Sequence, residues 1–317
     1  MLRLVVAIVL FATTHQRVCG EECPCQYLPA DPVYPGAGGY RWDCEYVTHG
    51  LTSVPTSCWT LHPDVTQIFL DYNDISEVTS ESLVGLTNLR TLSLKHNTIT
   101  AIVPETLTNL ASLELLDVSS NKLAELPTDL WSLTNLTHLY LGDNKLSDAH
   151  TFNISNLINL EVLDLHLNQL SQLPPLSVEP LRALQILHLH WNTLVELPVL
   201  INNLHLHELL VNGNALLEFP KYMFGNLTQP LTYHFVDNPA YDVWATMLLA
   251  LPERSHIMMG NDVWVWAEDD QVARQLLQQS QTWVLQDGLS QPIDLPSLVR
   301  ICGSTHIAHN GGSLPPC

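Results

Sequence analysis

Two short motifs carry the groups best suited to chemistry, Asp164-Leu165-His166 and His188-Leu189-His190, three imidazoles and a carboxylate in matching order 24 residues apart. Imidazole and carboxylate are ligands for Zn²⁺, and an imidazole changes charge near neutral pH. Asp164, His166, His188 and His190 are therefore a weak candidate for a metal site or a pH-dependent contact. Histidines that are merely hydrated, or bonded to Asp164, are the favoured reading, and no metal or other cofactor is expected. Other catalytic patterns fail. His207-Glu208-Leu209-Leu210-Val211 begins like a zinc-protease motif but has Val211 where the second His must stand. The sequence has no Gly-x-Ser-x-Gly, no phosphate-cradling Gly loop and no Cys-x-x-Cys. The chain is expected not to be an enzyme.

The elements that must position these groups follow from a repeat, Leu-x-x-Leu-x-Leu-x-x-Asn-x-Leu. Its asparagines are Asn73, Asn97, Asn121, Asn144, Asn168, Asn192, Asn214 and Asn238, separated by 24, 24, 23, 24, 24, 22 and 24 residues. The unit around Asn121, for example, carries Leu113, Leu116, Val118 and Leu123. A short strand with Leu at alternate positions turns those side chains to one side. The chain then bends sharply, and the Asn amide enters the core to satisfy the bend, because an unpaired buried polar group costs ~1–3 kcal/mol. Leu-Pro steps (Leu126-Pro127, Leu173-Pro174, Leu197-Pro198) fall where each coil returns. One coil cannot bury its apolar edge alone, whereas a stack of about eight can.

This pattern resembles the extracellular leucine-rich-repeat family over roughly residues 21–240. The resemblance implies an α/β solenoid with a parallel sheet on a curved, concave face, and roles in adhesion, matrix organisation or immune recognition. Cys23-Pro24-Cys25, Cys44, the Leu51-Thr52-Ser53-Val54-Pro55 segment and Cys58 are similar to the family's cysteine-rich N-terminal cap. A first cysteine is missing, residues 30–39 form a long Pro/Gly-rich insertion, and Cys58 is extra. The resemblance implies Cys23–Cys44 and Cys25–Cys58 bridges, although four cysteines allow three pairings. At the far end Asn238-Pro239 matches the entry to a C-terminal cap, but the family's Trp and Cys-x-Cys do not follow. Residues 239–317 read as a divergent cap or small domain. They hold an apolar helix over 243–251, a hairpin through Gly260-Asn261, a helix over 269–285 with Val272, Leu276 and Trp283 on one side, and a Cys302–Cys317 bridge.

The ends of the sequence and its charge place the protein. Residues 1–20 read as a secretory signal, with Arg3, an apolar run over 4–12 and a small-residue site at Val18-Cys19-Gly20. That run is too short to span a bilayer, which takes ~20 apolar residues, and no later stretch is longer. The domains expected are thus a signal (1–20), an N-terminal cap (21–60), repeats (61–238) and the C-terminal segment (239–317). Of seven cysteines, Cys19 leaves with the signal and six remain, which suits an oxidising, extracellular location. A formal net charge of −20, from 12 Lys+Arg against 32 Asp+Glu, disfavours nucleic acid and favours a basic protein partner.

Strand residues flanking the inward Leu should project outward. The richest outward patch is Tyr140, Asp143, Asp164, His166, Leu167, His188, His190 and Trp191, aromatic and charged groups of the kind that anchor protein partners. The function expected is a secreted, non-catalytic scaffold that recognises an extracellular protein through this face. The alternative is a non-catalytic subunit or inhibitor of a secreted enzyme. Sequons at Asn135, Asn153 and Asn226 are candidates for glycosylation and lie outside the outward columns, leaving that face bare.

Overall fold

The repeat dictates a ladder of three-residue strands, each with an aliphatic at its centre. The computed structural model describes residues 23–47, 50–60, 62–147, 152–173, 178–240, 242–259, 263–267, 270–282, 284–286, 289–293 and 295–301. The expected signal and the expected Cys302–Cys317 bridge lie outside the described residues. Described residues up to Asn168 fall mainly into one compact unit, and those from Gln169 onward into a second.

In the first unit a hairpin of β1 (Gln26–Pro29) and β2 (Tyr40–Asp43) starts the ladder. It continues in parallel through β3 (Gln67–Phe69), β5 (Thr91–Ser93), β7 (Leu115–Asp117), β8 (His138–Tyr140) and β9 (Val162–Asp164). The central residues Ile68, Leu92, Leu116, Leu139 and Leu163 are fully buried. On the return side β4 (Glu77–Val78) pairs with β6 (Ala101–Ile102). The other returns are turns and short 3-10 helices, such as Thr128–Ser132 just after Pro127. Helix is thus scarcer here than an α/β label implies: coils of 22–24 residues with Leu-Pro steps leave little length for an α-helix.

Each Asn amide ties its coil to the one before. Asn97 Nδ2 donates to the carbonyls of Leu70 (2.9 Å), Leu94 (3.0 Å) and Lys95 (3.3 Å), and its Oδ1 accepts from the Ile75 N–H (3.0 Å). Asn121, Asn144 and Asn168 repeat the pattern. Asn73 applies it to the cap, donating to Cys44 O and accepting from Leu51 N–H. The residue before each Asn takes left-handed backbone, with φ of +57° at Tyr72, +52° at His96 and Ser120, +53° at Asp143 and +49° at Leu167.

The cap pairs Cys23 with Cys58 and Cys25 with Cys44, which corrects the expected Cys23–Cys44 and Cys25–Cys58 bridges. The hairpin register is the reason. Gln26 stands opposite Asp43, so the next positions outward, Cys25 and Cys44, face each other with Cα atoms 4.5 Å apart. Cys23 is then left to reach Cys58, on the single-turn helix α1 (Thr56–Trp59).

The insertion also changes what the sheet presents. Residues 30–39, joining β1 to β2, fold over the outward side of β3 and β5. Gln67 Nε2 donates to the carbonyls of Asp31 (2.8 Å), Tyr34 (3.2 Å) and Pro35 (3.0 Å), and Thr91 Oγ1 donates to Pro35 O (2.8 Å). Gln67, Phe69, Thr91 and Ser93 are buried as a result, so Phe69 and Ser93 do not project into solvent as their column position implied.

The second unit carries its own parallel ladder: β10 (Ile186–His188), β11 (Glu208–Leu210), β12 (Thr232–His234), β14 (His256–Met258) and β16 (Val284–Gln286). The last two coils add a second parallel sheet, β13 (Asp242–Trp244), β15 (Trp264–Ala267) and β17 (Val299–Ile301). Their helices are α2 (Ala245–Leu249), α3 (Asp270–Gln279) and α4 (Leu295–Leu298). Coiling therefore continues beyond residue 239, with Ile257 taking the central inward place. Three expectations fail in this stretch: the helix expected over 243–251 spans only Ala245–Leu249, because Val243 and Trp244 are strand. No hairpin joins β14 to β15, because they belong to different sheets, and the helix expected over 269–285 ends at Gln279, so Val284–Gln286 is strand. Leu276 is buried as expected; Trp283 lies outside the described residues.

Replacing Asn121 by Ala strands the buried Ile99 N–H and takes one of two amide donors from each of the Leu94 and Val118 carbonyls, which Asn97 and Asn144 still reach. Urea unfolding is expected to show a loss of about 2–4 kcal/mol. Asn159→Ala, which removes one exposed bond to Thr134 O, is expected to cost under about 0.5 kcal/mol. Equal losses would contradict the ladder.

Candidate functional site

Each unit presents an outward strand face. In the first unit, the third residue of each strand forms the row Phe69, Ser93, Asp117, Tyr140, Asp164, set by direct pairing of successive strands. The carboxylates of this row, and Asp71 two residues beyond Phe69, are held by nearby donors. Asp71 Oδ1 accepts from the Ser93 hydroxyl (2.5 Å) and the Lys95 N–H (2.9 Å). Asp117 Oδ1 accepts from the Ser119 hydroxyl (2.6 Å) and N–H (2.9 Å). Asp164 Oδ1 accepts from the His166 N–H (3.0 Å) and lies 2.6 Å from His166 Nδ1.

Burial dominates the electrostatics of this face. It pushes the Asp71 carboxyl up to about 7, against the bonds from Ser93 and Lys95 and with repulsion from Asp117 and Glu45. Asp117 is raised for the same first cause, although the Ser119 bonds and Lys95 oppose it. The Tyr140 hydroxyl is raised by burial and then by Asp117, Asp164 and Tyr34. His138 is lowered by burial, with Glu161 opposing. Along the turn edge, Tyr46, Tyr72 and His96 stack with ring centroids 4.4 Å apart at each step. Gly142 leaves the space His166 uses, since a Cβ there would run into the imidazole. Asp143 is exposed on the same edge.

The second unit presents histidines. His188 Nε2 is 2.8 Å from Glu208 Oε1, and the His188 and His190 rings meet edge-on at 5.6 Å. Further along, His234 and His256 meet edge-on at 5.4 Å, and His256 Nε2 bonds Gln286 Oε1 at 2.7 Å. Burial lowers His234, His256 lowers it further, and Glu208 opposes. Trp191 is 49% exposed, and its indole lies against Gly213, where any Cβ would collide with it.

Of the expected patch, Tyr140, Asp143, Asp164, His166 and Leu167 lie in the first unit, and His188, His190 and Trp191 in the second. The Asp164–His166 pair and the His188–His190 pair are each made within one unit. Among the described residues, the one group of three metal-competent side chains with ligand atoms mutually close is Cys23, Cys25 and Cys58, whose sulfurs are in disulfides. Sequence reasoning missed Tyr34, His256, Met258 and Gln286. His256 and Met258 flank Ile257 exactly one 24-residue step beyond Thr232 and His234, so the spacing held the signal after the Leu and Asn motif had faded. Asn135, Asn153 and Asn226 are all exposed.

Residues 63–123 and 134–194 match the leucine-rich-repeat family model. No curated protein matches the chain in sequence. Among solved structures it is similar to the leucine-rich-repeat protein FLRT2 in an octameric complex with Latrophilin 3 and Unc5D. That match has 20% identity over 74% of each chain and a TM-score of 0.60. An internalin from Listeria monocytogenes is similar at 21% identity over 76% of this chain and 63% of that one, with a TM-score of 0.53.

A carboxyl raised from about 3.9 in the unfolded chain to about 7 in the fold makes folding less favourable as pH rises between those values. Asp71→Asn keeps an acceptor for Ser93 and Lys95 and removes the charge. Its stability advantage over the parent is expected to grow from pH 4 to pH 7, to on the order of 3 kcal/mol, and then level off. Denaturation midpoints across pH 4–9 check this; a flat difference contradicts it.

Proposed function

We propose that this chain, a leucine-rich-repeat protein with a disulfide-bonded N-terminal cap, is a secreted, non-catalytic binding protein that holds an extracellular protein on its strand faces. The contacts assigned to the partner are Tyr140, Asp143, Asp164 and His166 in the first unit, and His188, His190 and Trp191 in the second. The observation that carries this reading is Trp191. A large indole, half exposed and seated on a glycine of the next coil, contributes little to the core and is fixed in place before any partner arrives. Rigid aromatic anchors ringed by polar groups are what protein interfaces concentrate their energy on.

Further features agree. Outward side chains on a hydrogen-bonded ladder lose little freedom on binding, which favours recognition of an extended protein surface. The two cap disulfides suit an oxidising compartment. No helix among the described residues is long and apolar enough to cross a membrane. Glycans on the exposed Asn135, Asn153 and Asn226 would leave the outward strand residues uncovered. The net charge of −20 favours a basic partner over nucleic acid.

The test is to express the full chain in secreting cells, map glycopeptides from the medium, and screen it against purified extracellular domains. Binding to the domain found is expected to weaken at least about 30-fold in Tyr140→Ala or Trp191→Ala, the scale of a hot-spot residue. Ile158→Ala, an exposed apolar residue on a return segment, is expected to leave it unchanged. Full affinity in both face variants would refute the assignment.

A further inference from the structure

The first unit's strand face holds two shielded carboxylates that no described cation neutralises. Asp71 is 9% exposed and Asp117 half-buried, and neither forms an ion pair with a described Lys or Arg. The nearby cations are otherwise placed. Arg41 bonds Asp31 (3.1 Å) and Asp43 (3.2 Å), which braces the insertion, and its guanidinium lies over the Phe69 ring. Lys95 acts on Asp117 only at a distance.

Aromatic groups border these carboxylates on both sides. Tyr34, from the insertion, sets its ring edge-on to Phe69 with centroids 5.0 Å apart. Strand pairing then runs Phe69 to Ser93 to Asp117 to Tyr140. Adjacent strands are ~4.8 Å apart, so Asp117 is one strand from Tyr140 and two from Phe69. The tyrosine hydroxyls are raised first by burial; Asp31, then Asp71, Glu45 and Asp117 add to this at Tyr34, and Asp117, Asp164 and Tyr34 add to it at Tyr140. Asp117 is thus the carboxylate common to both tyrosines. The insertion is held by Gln67 and Thr91, and it leaves Tyr34 38% and Val33 82% exposed.

We propose that the patch framed by Tyr34 and Tyr140, with Asp71 and Asp117 between them, receives a lysine or arginine side chain of the protein partner, with Val33 meeting an apolar neighbour of that residue. The inference rests on the binding function proposed above and specifies its partner's chemistry. A cation there gains carboxylate attraction in a partly desolvated setting, to which a phenol ring adds where it turns its face to the charge. It also relieves the repulsion between Asp71 and Asp117. An anionic or purely apolar segment would leave both carboxylates uncompensated.

The experiment titrates the full secreted chain with capped Val-Arg-Gly and Val-Lys-Gly peptides, and with Val-citrulline-Gly as the neutral isostere, by NMR observation of the peptide. Saturable binding of both cationic peptides is expected, with at least a tenfold preference over citrulline. Asp117→Asn, which keeps the acceptor for Ser119, is expected to weaken it at least fivefold, whereas Glu125→Gln removes one exposed charge elsewhere and is expected to leave it unchanged. Equal binding of the citrulline peptide, no binding of either cationic peptide, or equal loss in Glu125→Gln and Asp117→Asn would overturn the proposal. If the peptides fail while Tyr140→Ala and Trp191→Ala still abolish binding of the protein partner, this inference falls alone. If those variants bind normally as well, the function proposed above falls with it.

Discussion

A buried side-chain amide at every bend governs the rest of the molecule. A strand of three residues is too short to persist alone, and each bend leaves backbone groups pointing into apolar space. The Asn side chain answers both problems with one group. Its N–H donors satisfy carbonyls of its own coil and of the preceding one, and its oxygen takes an N–H from the preceding coil. Neighbouring coils are therefore joined through the core as well as through the strand ladder. Tolerance elsewhere follows: returns are turns, 3-10 segments or α-helices in different coils, while the bend chemistry stays the same from Asn73 to Asn168 and again from Asn192 to Asn238.

The same bend shapes the edge of the strand face. Left-handed backbone just before the Asn costs ~1 kcal/mol for a residue other than glycine, yet Tyr72, His96, Asp143, Leu167 and Trp191 all occupy it. Of the equivalent places only Gly213 is glycine, and there the missing side chain gives Trp191 its seat. Aromatic and charged groups are thus held in a strained turn by a ladder strong enough to tolerate the strain. The cap adds to this by laying Tyr34 across the start of the face, so that it closes the apolar end of the stack and shapes the surface beside it.

Much of this was legible in the sequence, for reasons that differ by element. The strands and bends were readable because Leu and Asn recur at a fixed spacing that only stacked coils explain. The outward columns followed by alternation: Tyr140 and His188 are half-buried there, whereas Asp164 is 9% exposed, and Trp191 is exposed at the bend that follows its strand. Three things were hidden. The cap pairing depends on the register of the β1–β2 hairpin, where Cys25 faces Cys44, and cysteine spacing does not encode register. The covering of Phe69 and Ser93 depends on where residues 30–39 fold, and that is fixed by Gln67 and Thr91, residues with no motif of their own. The coils carrying β14 and β16 lack the Leu and Asn signature, so their parallel strands at His256–Met258 and Val284–Gln286 read as cap.

The claim on which the account stands is that the amide ladder makes the stack rigid before any partner binds. Hydrogen exchange of the free chain, resolved to single backbone amides, tests it most directly. The N–H groups of Ile75, Ile99, Leu123 and Leu146, each held only by an Asn side-chain oxygen of the next coil, are expected to exchange as slowly as the strand N–H groups of Leu94 and Leu141. Exchange at the rate of exposed turns, with the strands alone protected, would contradict it.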